Sequence, residues 1–280
     1  STHANAQSLR SLMFETPPDL LVLSDDFDDD VFELAKEVRF NRLGQNPFII
    51  ISFLINPRNT ENIEKAIKVG ADDIVIKPVD SQKVHDRLRL TANHRQPFVA
   101  TSEYVGPDRK SEQDRHPGAR RVDVLNTLKE KANGRTFEQW ELKEAVDECL
   151  NKVVEAQLSS QSMKMGALCD VILEAYRGNL VTVQVKRNFA ELTEILREAS
   201  NMATQLKDDS LQTLCLSLAE NVSMMEINYE TLEDSDIDLI DKLSQAFRMA
   251  IDSAAQRTQN EEEELAAKYE GRVAGDAIDI

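Results

Sequence analysis

The sequence predicts an α/β domain built on a parallel sheet, followed by an all-α bundle of four or five helices. Three observations carry that prediction. Short apolar runs alternate with helix-period segments through the first 95 residues, all eight prolines lie at or before Pro117, and the acidic charge gathers in the back of the chain. Of the formal net charge of −17, residues 136–280 hold −16, residues 96–135 hold +2 and residues 1–95 hold −3. The division that follows is an α/β domain over 1–95, a linker over 96–135, a helical bundle over 136–260 and an acidic tail over 261–280.

In the front part, Ala6, Leu9, Leu12 and Met13 fall at helical spacing, and Pro17-Pro18 ends that helix. Residues 20–23 form a short apolar run between polar neighbours, the pattern of a strand covered on both faces. Val31, Leu34, Ala35 and Val38 return to helical spacing, and the acidic run 28–30 before them suits the positive end of a helix dipole. Residues 48–51, announced by Pro47, read as a second buried strand. Ile63, Ala66 and Ile67 form the next helix, with Gly70 suited to its C-terminal end. Residues 74–76 make a third strand that Lys77-Pro78 stops, and Val84 and Leu88 mark a last helix. Helices alternating with strands through short connections imply a parallel sheet with helices on both faces. Ligands on such sheets sit at the carboxyl ends of the strands. On this reading those ends carry Ser24-Asp25-Asp26, Ser52 and Lys77.

Residues 18–23 (PDLLVL), 47–52 (PFIIIS) and 70–78 (GADDIVIKP) resemble, in order and spacing, the receiver domain of two-component response regulators, a flavodoxin-like fold. The likeness covers roughly residues 4–92 and is most specific in GADDIVIKP. It implies a carboxylate that attacks a phosphoryl donor, Mg²⁺ that neutralises charge, a lysine that pairs with the phosphoryl oxygens and a hydroxyl that switches toward them. Lys77 would be the phosphoryl-pairing lysine, Ser52 the switch hydroxyl, and Pro78 would carry a cis peptide. The phospho-acceptor position falls on Ser24 when counted from Pro18, and a slip of one or two residues would move it to Asp25 or Asp26. The sequence also opens at what resembles the family's second helix. The family's acidic Mg²⁺-binding pair belongs upstream of that, so the expectation is a chain that starts inside a longer natural protein. Outside the resemblance, Lys77 reads as a salt-bridged lysine at a strand end.

The linker contains Tyr104-Val105-Gly106-Pro107-Asp108-Arg109, irregular by composition, although Phe98, Val99, Tyr104 and Val105 suit packing against a domain. His94 and His116 are too isolated for a metal site. From Thr136 onward apolar residues recur at three–four spacing. One predicted helix carries Trp140, Leu150 and Leu158, and the next carries Met165, Leu168 and Ile172. Three further stripes run over 192–206, 211–225 and 237–251. Asp208-Asp209-Ser210 and Asp234-Ser235-Asp236 supply caps. Met163, Met165, Met202, Met224 and Met225 read as core filler. Residues from Glu261 read as a frayed helix leading into a disordered tail.

The acidic surface would repel a nucleic-acid backbone, and no apolar run reaches the ~18–20 residues of a membrane span. Cys149, Cys169 and Cys215, odd in number and without CxxC spacing, read as reduced thiols of a cytoplasmic protein. No histidine follows His116, so the helices hold no phosphohistidine, and they contain no basic recognition helix. Glu144, Glu148 and Asn151 resemble the spacing of chemotaxis-type phosphatases, whose pattern continues to a proline this chain lacks. The functional expectation is a non-enzymatic two-component-type signalling protein. A histidine kinase or phosphotransfer protein would address its front domain, and its bundle would act by protein contact within a homodimer. The alternatives are a phosphorylation-independent pseudo-receiver scaffold or adaptor and, third, a phosphatase.

Overall fold

In the computed structural model, which describes residues 6–15, 17–27, 30–115 and 118–276, the front alternation becomes a three-stranded parallel sheet. The elements run α1 (Ala6–Glu15), β1 (Leu20–Ser24), α2 (Val31–Arg39), β2 (Ile50–Ile55), α3 (Thr60–Lys68), β3 (Asp73–Ile76) and α4 (Ser81–Asn93). The strand order is β1-β2-β3, with Ser24 beside Leu54 and Ile55 beside Ile76. Period two puts Leu21, Leu23, Ile51, Phe53 and Ile55 on one face, where they join Leu9 and Met13 of α1, Leu34 and Val38 of α2 and Ala66 of α3 in one core. Phe32 stacks on Phe53 with ring centroids 5.0 Å apart. Asp30 caps α2 by accepting from the Phe32 and Glu33 N–H groups, while residues 28 and 29 lie outside the described residues.

Two expectations change here. The second face of the sheet is not covered along its length: Val22 is 48% exposed, whereas α1, α2 and α3 all add side chains to the core on the first face. The second strand begins at Ile50 and runs to Ile55 instead of ending at Ile51. That shift moves Ser52 from a strand end to a strand interior.

Residues 96–135, read from sequence as a tether, carry β4 (Phe98–Ala100), β5 (Val105–Pro107), α5 (Lys110–Arg115), β6 (Arg121–Val122) and α6 (Thr127–Ala132). The three strands form an antiparallel sheet in the order β5-β4-β6. The helix α7 (Gln139–Arg177) follows, and its first half supplies Val146, Val153 and Ala156 to a core with Phe48, Phe98, Ala100, Val105 and Val122. The chain accordingly divides into units at Ser1–Gln157 and Leu158–Ile280, with the boundary inside α7 and not at its start.

Beyond that boundary come the rest of α7, then α8 (Val183–Gln205), α9 (Asp209–Ile227) and α10 (Asp234–Asp276). Among the described residues the unit is built from four helices, because the two expected before residue 177 are one. No proline interrupts them, and the helix absorbs Gly166 at a cost of about 1 kcal/mol. Phe189, Leu192, Leu196 and Ala199 of α8 are buried, as are Cys215, Leu218 and Val222 of α9 and Ile240, Leu243 and Phe247 of α10. Thr182 and Asp208 cap α8 and α9 with side-chain bonds to the Gln184 and Leu211 N–H groups. Helix α10 continues to Asp276, through residues read from sequence as a frayed tail. The methionines divide: Met165 and Met225 are buried, whereas Met163 and Met224 are exposed. No helix among the described residues is long and apolar enough to cross a membrane.

The two sheets of the front unit meet over a buried ionic knot. The Asp72 side chain, 1% exposed, receives Arg39 at 2.5 Å and Arg95 at 2.7 Å. The Ile51 N–H also donates to it, at 2.8 Å. Arg39 donates onward to the carbonyls of Gly70, Pro47 and Ile49, and Arg95 to those of Phe48 and Leu125, at 2.7–2.9 Å. Both guanidinium groups lie over the Phe98 ring, at 5.1 and 4.7 Å from its centroid. Burial disfavours the Asp72 carboxylate, but Arg95 and Arg39 outweigh it and hold its pKa below the ordinary value. Burial also brings Arg39 down to about 10 despite the attraction of Asp72. Removing the carboxylate would strand two buried cations, so Asp72→Ala should cost about 3–5 kcal/mol in urea denaturation. Asp73→Ala, which releases a half-exposed Arg87, should cost about 1 kcal/mol or less. Equal costs for the two neighbours would contradict the knot.

Candidate functional site

β1 and β3 flank β2, so their carboxyl ends bring Ser24 and Lys77 to the same rim of the sheet. The Lys77 ammonium donates to Ser24 Oγ at 2.7 Å, to Asp25 Oδ1 at 3.1 Å and to Asp26 Oδ2 at 2.5 Å. Burial works against the ammonium, yet its bonds to Asp26 and Asp25 prevail and raise its pKa, so it stays charged through the neutral range. The Lys77–Pro78 peptide is cis.

The two carboxylates beside Lys77 differ in what they can do. Asp25 has no exposed side-chain surface. Its oxygens accept the Asn56 N–H at 3.0 and 3.1 Å, the Asn59 and Asn62 amides at 3.0 and 3.2 Å, and Lys77. Its own N–H donates to the Leu54 carbonyl. Burial opposes its charge, but the bonds from Asn56, Asn59, Lys77 and Asn62 together bring its pKa to about 2. Asp25 is thus a saturated, ionised hub that ties the end of β1 to the turn after β2 and the first turn of α3. Asp26 is 63% exposed, with Lys77 as a partner, and is the accessible carboxylate of the rim.

Of the residues picked from sequence, the structure brings together Ser24, Asp25, Asp26 and Lys77. Ser52 stands apart. It pairs in register with Val22 and Asp73, two residues before the level of Ser24 and Leu54, a displacement of about 7 Å along the strand. The strand-end position expected of Ser52 belongs instead to Asn56, with Asn59 and Asn62 at the start of α3 beyond it. Sequence reasoning missed these three; the amides of Asn59 and Asn62, three residues apart at the start of α3, are a readable sign of a helical face turned to a strand end, whereas Asn56 contributes its backbone N–H, which no side-chain pattern announces. His116 lies outside the described residues.

Among the described residues no three His, Cys, Asp or Glu side chains converge on one point, and both oxygens of Asp25 already take protein donors. On α7, Glu148 pairs with Lys152 at 2.6 Å, one turn away. No family model, curated protein or solved structure matches the chain at a significant level.

The stability that Asp25 contributes is complete above its ordinary pKa of 3.8 and is lost as pH falls through about 2. Asp25→Asn should therefore be less stable at neutral pH and show a flatter acid limb between about pH 4 and pH 2. Urea midpoints over a pH series measure this, and superimposable limbs would contradict the hub role.

Proposed function

We propose that the chain is a two-component-type signal transduction protein. Its front unit receives a phosphoryl signal at the Ser24–Asp25–Asp26/Lys77 rim, and its helical unit passes that signal on by protein contact. The observation that carries the reading is Lys77, a cation reaching three oxygen-bearing side chains at the ends of two parallel strands within the GADDIVIKP resemblance. Asp26, exposed and next to that cation, is the carboxylate able to act as acceptor. One of its oxygens would attack phosphorus, the bond from phosphorus to the donor's leaving oxygen would break, and Lys77 would pair with the transferred oxygens. A second reading, a phosphorylation-independent scaffold, is favoured by the saturation of Asp25, which already occupies Lys77 from within the fold.

Acetyl phosphate distinguishes the two. The full 280-residue chain should gain a phosphoryl adduct by intact-protein mass spectrometry. Hydroxylamine should remove it, as expected of an acyl phosphate. The adduct should vanish in Asp26→Asn, survive in Ser24→Ala, and form about a hundredfold more slowly in Lys77→Ala. A hydroxylamine-resistant adduct would move the acceptor to Ser24. No adduct, with or without Mg²⁺, would favour the scaffold.

A further inference from the structure

Helix α9 has two apolar faces, and only one is used by the bundle. Leu211, Cys215, Leu218, Val222 and Met225 are buried. On the opposite side Leu216, Met224 and Ile227 recur at i, i+8 and i+11, which one helical face presents together, and they are 48%, 61% and 70% exposed. Asp209 and Glu220 fall on the same face and are exposed. An amphipathic surface helix ordinarily turns such a face inward or fills it with mixed charge. This one does neither. Between Lys207 and Lys242 the chain has ten acidic residues and no lysine or arginine, so nothing on α9 or the following turn neutralises the carboxylates around the stripe.

We infer that this face of α9 docks a basic amphipathic helix of a partner protein, an inference that rests on reading the helical unit as a module for protein contact. The three apolar side chains would anchor the partner's apolar stripe, with Met224 adapting to its shape. Asp209 and Glu220 would meet lysines or arginines flanking that stripe, giving attraction that salt weakens. The charge decides between occupants. A second copy of this chain would set the same carboxylates against each other, whereas a basic helix meets them with opposite sign.

A labelled peptide of leucine and lysine, with leucines at helical spacing, tests this by fluorescence anisotropy on the full chain. Two controls are a scramble of the same composition and a version with glutamate for lysine. The amphipathic basic peptide should bind saturably and more weakly as salt rises, while neither control binds. Met224→Gln with Ile227→Gln should weaken it about tenfold or more, and Glu220→Gln several-fold with a smaller salt dependence. All three positions are exposed, so the variants should keep the helical circular dichroism of the parent. Equal binding of the scramble, undiminished binding by the double variant, or no binding by the parent chain would overturn the proposal. So would sedimentation showing a dimer that the double variant dissolves. Lys77→Ala should bind the peptide unchanged, so failed phosphoryl transfer and a failed docking face give different results.

Discussion

Asp72 is the point on which the front unit depends. A carboxylate inside a protein is costly unless it is paired and fully hydrogen-bonded, and here two arginines and a backbone N–H supply that pairing. The same arginines spend their remaining donors on five carbonyls between Pro47 and Leu125. One side chain therefore holds the end of α2, the entry to β2, the entry to β3 and the segment between β6 and α6 in a single arrangement. Gly70, next but one to Asp72, completes it sterically. Its φ of +79° is open to glycine, and a Cβ there would stand 2.2 Å from the Val105 carbonyl. The second sheet can approach the first because of that missing atom.

The knot also governs the candidate site from a distance. By tying Ile49 and Ile51 to Asp72 and its arginines, it anchors the start of β2 and the register that follows. That register leaves Ser52 inside the strand and delivers Asn56, Asn59 and Asn62 to Asp25. The sheet thus has a polar hub at each end. The lower one, at Asp72, is sealed and structural. The upper one, at Asp25, is equally satisfied but stands beside Lys77 and the exposed Asp26, so it fixes a cation and a carboxylate at the rim.

The helical unit uses its residues differently. Its cohesion comes from apolar stripes of ordinary period, while apart from caps such as Asp208 its acidity adds little to that cohesion: most described carboxylates are exposed, and ion pairs such as Lys164–Glu191 lie at the surface, where they contribute little. Freed from the core, that charge is available for recognition, and α9 is where charge and uncovered apolar surface coincide.

Local pattern determined much of this protein. Period-two runs and helical stripes placed every element of the parallel sheet to within a few residues, and the charge break located the helical part. The convergence of Ser24, Asp25, Asp26 and Lys77 followed from strand ends that a parallel sheet must bring together. Tertiary structure decided what local pattern does not encode. Pairing partners set the span of β2 and so removed Ser52 from the rim. Long-range donors made Asp72 a structural residue although it sits in the most recognisable motif. Phe98 and Val105 turned a polar, glycine- and proline-bearing stretch into a second sheet because Phe48 and α7 offered them a core. The division of the methionines, and the exposure of one apolar face of α9, depend on which helices stand beside it. Periodicity reports that a face is apolar; whether that face is covered is a property of its neighbours.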